Sequence, residues 1–249
     1  MEQKLNGTVA LVTGAAGLLG RGIVRRLADA GAAVVATDLS LEKLAPLLSE
    51  IAQSGGTVSA EKLDITDSAE VASVFKRVEQ RMGRIDLLVN NAGIVRGKSE
   101  AFQQTDESYW KKLIEVNLFG TMICTHQVLP GMIARKRGKI INIASIAGVS
   151  GLPGWADYAA SKGGVILFSQ TLAMELGQYG ITVNCISPGM IGAESGANPG
   201  TWLGRSGTPD DIAGTIVFLA SADGDYITGT NCLVDGGRVL GPKNSSWNS

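Results

Sequence analysis

Short apolar runs rich in β-branched residues alternate with longer stretches in which apolar positions recur every three or four residues. The runs TVALVT (8–13), AVVATD (33–38), TVSAEKLD (57–64), DLLVNN (86–91), KIINIAS (139–145), TVNCIS (182–187) and TNCLVD (230–235) read as strands. Between them, 21–31, 41–53, 68–83, 106–136, 158–180 and 208–221 read as helices. This alternation predicts an α/β fold: a Rossmann-like, doubly wound parallel sheet with helices on both faces. VALV, LLV and IINI are apolar without interruption, as strands covered on both faces must be. Polar residues gather where strands end, at Thr13, Asp38, Asp64, Asn90, Asn91, Ser145 and Ser187. Ligands of open parallel sheets bind beyond the carboxyl ends of the strands, so these residues are expected to line one cleft.

The first strand-to-helix turn, TGAAGLLG, places Gly14, Gly17 and Gly20 at the mouth of a helix. Glycines there let the backbone approach an anion, and the free N–H groups and dipole of the helix complete the site. Asp38, eighteen positions after Gly20, stands where a carboxylate accepts hydrogen bonds from the adenosine ribose hydroxyls of a dinucleotide. The same carboxylate would repel a 2′-phosphate, and the turn itself carries no Lys or Arg to offset it. NAD is therefore expected over NADP.

Composition narrows the partners. With 22 basic and 23 acidic residues, nothing draws the chain to nucleic acid or an anionic membrane surface. No run approaches the roughly 18 apolar residues of a membrane span, and MEQKLNGTVALV lacks a long apolar signal region. Cys124, Cys185 and Cys232 are odd in number and sit in apolar contexts, which predicts free, buried thiols in a cytoplasmic protein. His126, the one histidine, is read as structural, and no metal site is expected. A length of 249 residues suits one dinucleotide-binding and catalytic domain over 1–249. It would carry a short substrate loop at about 190–204 and a tail at 238–249, whose end GPKNSSWNS is expected to be loosely ordered or packed on a neighbouring subunit.

In YAASK, Tyr158 and Lys162 stand at i and i+4 on one helix face. Ser145 lies at the end of KIINIAS, and Asn117 interrupts the helical IEVNLFG, where asparagine is a poor helix former. Together with the Gly-rich turn, LDIT around Asp64, NNAG at 90–93, SPG at 187–189 and ITGTNCLVDGG near the end, these motifs carry a family resemblance. From about residue 5 to 237 the chain resembles the short-chain dehydrogenase/reductase family, in its compact single-domain branch.

The resemblance implies that Tyr158 is the general acid/base, exchanging a proton with a carbonyl or alcohol oxygen as hydride moves to or from nicotinamide. Free tyrosine titrates near pH 10, so work near neutrality needs roughly 3 to 4 kcal/mol of preferential phenolate stabilisation. The Lys162 ammonium is its expected source, and in this family that lysine also holds the nicotinamide ribose. Ser145 would bond the substrate oxygen, and Asn117 would hold a water linking Lys162 to solvent. The same resemblance places Gly14, Gly17, Leu18, Leu19 and Gly20 at the pyrophosphate, and Asp64 and Ile65 at the adenine. Asn91, Ala92 and Gly93 fall behind the adenosine ribose, and Pro188, Gly189 and Ile191 along the nicotinamide. Substrate is expected against Ser145, Ala147, Leu152, Trp155 and Tyr158, with Ile94, Val95, Val149 and Trp202 nearby.

The chain departs from the family in two places. The compact branch writes GxxxGxG, with glycine where this chain has Leu18; GxxGxxG belongs to longer sugar-nucleotide-modifying relatives. Leu18 is read as a local variation that leaves binding intact. A threonine that bonds the nicotinamide carboxamide is common near Ala193, which cannot donate; the expectation is either weaker binding of the nicotinamide end or Ser195 as the substitute. The loop with Gly192, Gly196 and Gly200 is expected to be mobile, and Arg96 to be solvated. These features favour an NAD(H) oxidoreductase acting on a small, mostly apolar secondary alcohol or ketone. A 3-oxoacyl thioester reductase is the alternative, although such relatives typically prefer NADPH. An NAD-dependent epimerase or dehydratase without net redox and a catalytically idle dinucleotide-binding regulator are the competing classes. By analogy the assembly is a homotetramer or homodimer, with Ala159, Gly163 and Gly164 permitting close approach of a neighbour.

Overall fold

A computed structural model describes residues 3–241. Each predicted strand is present: β1 (Val9–Thr13), β2 (Ala33–Asp38), β3 (Val58–Lys62), β4 (Leu87–Asn90), β5 (Gly138–Ile143), β6 (Ile181–Pro188) and β7 (Asn231–Val234). They form one parallel sheet in the order β3-β2-β1-β4-β5-β6-β7. Chain order reverses between β1 and β4, the switch point at which such sheets open a crevice. The helices are α1 (Leu18–Asp29), α2 (Leu41–Gln53), α3 (Ser68–Met82), α4 (Glu107–Ile114), α5 (Thr121–Arg135), α6 (Ala147–Ser150), α7 (Ala156–Leu176) and α8 (Pro209–Ala220). The short α6 has too few residues to show a period and was not predicted.

Alternation along each strand divides the core. Ala10, Val12, Val34, Ala36, Leu87 and Val89 pack under α1, α2 and α8, whereas Leu11, Val35, Leu88, Ile140 and Val183 pack under α3, α5 and α7. The starts of α1 and α8 lie side by side because Gly22 has no side chain; a Cβ there would overlap Pro209. Cys124 and Cys185 are buried and Cys232 half-buried, all as free thiols, and burial pushes the first two up to about 12 and about 11.

The predicted helix 106–136 is instead α4 and α5 joined by a π-helical stretch, Glu115–Gly120, with Asn117 inside it. Such widened turns free backbone groups and are frequent at functional sites. Of the small residues expected to admit a second subunit, Gly163 and Gly164 also meet the chain's own elements. Gly163 lies against Gly148, where a Cβ on Gly148 would be 2.6 Å from the Gly163 nitrogen, and Gly164 lies against Leu118. Residues 242–249 of the expected tail lie outside the described residues.

Candidate active site

Beyond the carboxyl ends of the strands lie two cavities, of about 550 and 260 Å³, that share Leu18, Leu19, Asn91, Gly93, Ile94 and Val95 and so form one groove. Gly14, Gly17, Gly20, Asp38, Asp64, Ile65 and Ala92 line the larger part, and Ser145, Tyr158, Lys162, Pro188, Gly189 and Ile191 the smaller. Of the polar strand-end residues, Asp38, Asp64, Asn91 and Ser145 reach the groove. The other three do not: their side chains are buried and bond inside, although Asn90 Oδ1 is left without a partner. Thr13 Oγ1 accepts from the N–H groups of Asn91 and Ala92, both at 3.1 Å. Asn90 donates to Thr125 and Asn142, and Ser187 donates to Asn231.

The glycine turn packs backbone directly against backbone. Gly14 has φ +64°, and a Cβ there would sit 2.6 Å from Ala92 Cα; a Cβ on Gly20 would collide with the Gly14 carbonyl. Helix α1 starts at Gly17 with no side-chain cap and no acid in its first turn. Its first N–H groups therefore look for an acceptor outside the helix, which suits the pyrophosphate of a dinucleotide. Leu18, in the place of the usual glycine, is 48% exposed and borders the groove without filling it.

Asp38 is fixed by accepting from Ala16 N at 2.9 Å and Ser40 N at 3.3 Å. Arg21, directly after Gly20, is committed to the carbonyls of Ala16 and Lys43 and does not line the groove. Asn91 Nδ2 ties β4 to the turn through the Thr13 and Gly14 carbonyls, at 3.0 and 2.9 Å. Asp64 accepts from the Thr66 hydroxyl and N–H, which hold its carboxyl below the usual range.

At the other end, Lys162 is 5% exposed and donates to the Ile143 carbonyl at 2.9 Å; burial pulls its ammonium down to about 8. Its Nζ lies 5.9 Å from the Tyr158 ring centroid. Burial pushes the Tyr158 phenol up, and the hydrogen-bonding Ser145 hydroxyl pulls it back. The expected phenolate stabiliser, Lys162, is thus engaged by a backbone carbonyl, and Ser145 is the group that lowers the phenol here. Asn117 is fully buried; its Oδ1 accepts from Ile94 N at 2.8 Å and its Nδ2 donates to Ile94 O at 2.9 Å and Ser161 Oγ at 3.2 Å. Both ends of this side chain are occupied, and its backbone carbonyl accepts from Thr121 Oγ1 at 3.0 Å. Gly93 closes the cluster, since a Cβ there would lie 3.0 Å from Asn117 Oδ1 and 3.5 Å from Lys162 Nζ.

The expected substrate residues divide. Trp155 meets Tyr158 edge to face at 6.1 Å between centroids, and Leu152 is exposed. Ala147 is 1% exposed and lines neither cavity; its N–H donates to Ser145 Oγ instead. Trp202 faces a different cavity, against Gly236 and Gly237, because the 190–204 loop is fastened to the carboxyl-terminal turn by Leu203 N to Gly236 O and Arg238 to Gly200 O, both at 3.1 Å. Ser195, the expected substitute for the family threonine, donates to the Ser206 carbonyl at 3.1 Å. Arg96 is not solvated but 9% exposed and ion-paired with Asp157. Sequence reading missed Lys112 and Val116, which also line the groove. Their signal was available: they stand four apart on the stretch that carries Asn117.

The family model for short chain dehydrogenase matches residues 8–203. The chain is 40% identical over 247 residues to 3-oxoacyl-(acyl-carrier-protein) reductase FabG of Thermotoga maritima, covering 95% of this chain and all of the relative. It is 40% identical over 246 residues to (2S)-((R)-hydroxy(phenyl)methyl)succinyl-CoA dehydrogenase subunit BbsD of Thauera aromatica, covering 95% and 98%. The crystal structure of gox2181 superposes with a TM-score of 0.88 at 32% identity, over 96% of this chain and 99% of that one. Fold, groove and matches agree: the chain belongs to the short chain dehydrogenase family, whose members are oxidoreductases that use nicotinamide cofactors.

Proposed function

We propose that this oxidoreductase interconverts 3-oxoacyl and 3-hydroxyacyl thioesters, with Tyr158 exchanging the proton. One observation carries the redox reading: Ser145, Tyr158 and Lys162 meet in a cavity continuous with the uncapped start of α1. The thioester class is supported by the two relatives, whose names specify an acyl-carrier-protein ester and an acyl-CoA. That support favours the thioester alternative over a small apolar alcohol. The fastened loop adds to it, because Trp202 is held away from the Tyr158 end and leaves that end uncovered by this residue.

The residues fit the cofactor as follows. The Gly14–Gly20 turn would hold the pyrophosphate, Asp38 the adenosine ribose, Asp64 and Ile65 the adenine, and Pro188, Gly189 and Ile191 the nicotinamide end. When bound, the dinucleotide supplies or accepts the hydride. Ser145 donates to the substrate oxygen and holds it beside Tyr158 Oη, which gives that oxygen a proton during reduction and takes one during oxidation. A cation close by favours the resulting phenolate, and Lys162 is the cation expected to serve. Asn117 holds Ile94 and thereby the groove wall. The fixed Asp38 carboxylate favours NAD(H) over the phosphorylated cofactor. The exposed apolar residues Phe119, Met122, Leu167 and Met174 on the α5 and α7 side are the surface on which a homotetramer would assemble.

Acetoacetyl-CoA reduction with NADH and with NADPH, run beside oxidation of simple secondary alcohols, tests this reading. Faster turnover of the thioester with NADH is expected. Preferential oxidation of the alcohols would support the small-alcohol reading, and isomerised product without net NADH change would remove the redox one.

A further inference from the structure

Arg96 and Asp157 are 61 residues apart in sequence and among the few charged side chains that the fold buries. Arg96 Nη2 pairs with Asp157 Oδ2, and Arg96 Nη1 lies 3.4 Å from Glu100 Oε2. The guanidinium sits over the Tyr109 ring, 5.1 Å from its centroid. The Asp157 side chain is only 3% exposed, so removing Arg96 would leave a buried carboxylate without its counterion.

The pair closes a ring of contacts around Tyr158. Asp157 Oδ1 accepts from Tyr158 N at 2.9 Å, and Tyr158 O accepts from Ser161 Oγ at 2.8 Å. Ser161 Oγ accepts from Asn117 Nδ2, and Asn117 grips both backbone groups of Ile94, two residues before Arg96. A second link, Glu100 N to Gly154 O at 3.0 Å, fastens the same loop to the turn that precedes α7. Tyr158 is therefore gripped at its N–H and its C=O by a circuit that runs through Arg96.

We propose that Arg96 is a positioning residue for the reaction: through Asp157 it holds the first turn of α7, and with it the Tyr158 phenol against the Ser145 hydroxyl. This rests on the reading of Tyr158 as the proton-exchanging group. On its own helix Tyr158 has Lys162 5.9 Å from its ring and Asp157 on its backbone N–H; Arg96 and Glu100 on the loop after β4 and Tyr109 on α4 group around Asp157. Cys185 on β6 stands behind Lys162, and the Ser145 hydroxyl bonds the phenol directly. A phenol displaced from Ser145 loses the hydrogen bond that pulls it down.

The test follows the Tyr158 titration by tyrosinate ultraviolet absorbance against a Tyr158→Phe background, together with the pH profile of kcat/KM for acetoacetyl-CoA. Arg96→Leu moves the Tyr158 limb up by about one pH unit, tenfold in phenolate fraction at a given pH, as the loosened phenol loses its Ser145 hydrogen bond. Asp157→Asn keeps the acceptor for Tyr158 N but breaks the ion pair, and moves the limb up by less. The double variant moves it no further than Arg96→Leu alone, and Arg96→Lys leaves it in place. A limb that stays fixed in both Arg96→Leu and Asp157→Asn overturns the proposal, even if both variants lose activity through looser packing. If Arg96→Leu does not fold, Asp157→Asn decides alone. Full turnover by Tyr158→Phe would instead remove the Tyr158 reading, while the absorbance titration would still report on the pair.

Discussion

At the adenosine end of the groove, helix α1 begins on Gly17 with no capping side chain and no acid in its first turn. At the reacting end nearly every polar group is already bonded: Lys162 to Ile143, Asn117 to Ile94 and Ser161, and Tyr158 to Asp157 and Ser161 through its backbone. The start of α8 shows that an open helix end is not forced by the fold. There Thr208 and Asp211 form a reciprocal capping box, and Arg205 holds the Asp211 carboxyl well below its usual range. The difference teaches where a ligand is needed and where only geometry is. Free N–H groups at α1 would be completed by an anion, whereas the reacting groups must be aimed before anything arrives.

The largest effect should come from breaking the aimed end. Tyr158→Phe is expected to lower kcat by about a thousandfold and to leave the NADH dissociation constant, read by fluorescence, within about twofold. Equal loss of binding would mean that the two ends are not separable.

Lys162 gives a pH signature. Its ammonium is held at about 8 against an ordinary 10.5, so the unfolded chain binds more protons between those values. Stability should therefore rise with pH across that window, by up to about 3 kcal/mol, and the full cost of burying the charge is present below about pH 8. Denaturant titrations below pH 8 and above pH 10 check this, and Lys162→Met should flatten the contribution. A wild-type protein with no such rise would show that the ammonium is better solvated than the groove implies.

At the open end, Asp38→Ala should shift the NADH-to-NADPH preference toward NADPH by on the order of tenfold, measured as the ratio of kcat/KM values. An unchanged ratio would take the ribose contact away from Asp38. The smallest effect belongs to the closed helix start: Thr208→Ala should cost about 1 kcal/mol in chemical denaturation and leave NADH affinity unchanged.

Much of this was legible along the chain, because strand and helix periods are local. The seven strands, the glycine turn, and the Tyr158 and Lys162 pair all declare themselves within a few residues. Asn117 was conspicuous as a poor helix former, and the structure answers with a π-helical turn. Illegible were the outcomes that depend on what a side chain meets across the fold. Thr13, Asn90 and Ser187 share the strand-end pattern of Asp38 and Ser145 yet are consumed by internal hydrogen bonds. Trp202 and Ala147 were expected at the substrate, but a loop fastened to the carboxyl-terminal turn and a buried helix start hold them elsewhere.

By itself, then, the amino-acid order determined the parallel sheet, its switch-point groove and the residue types gathered at the strand ends, since these follow from local period and glycine conformation. Only the tertiary structure decided that Arg96 would be a buried counterion rather than a solvated loop residue, and that Lys162 would donate to the Ile143 carbonyl. The physical reason is that burial and charge pairing are set by distant segments, and no period along the chain encodes which carboxylate or carbonyl a cation will meet.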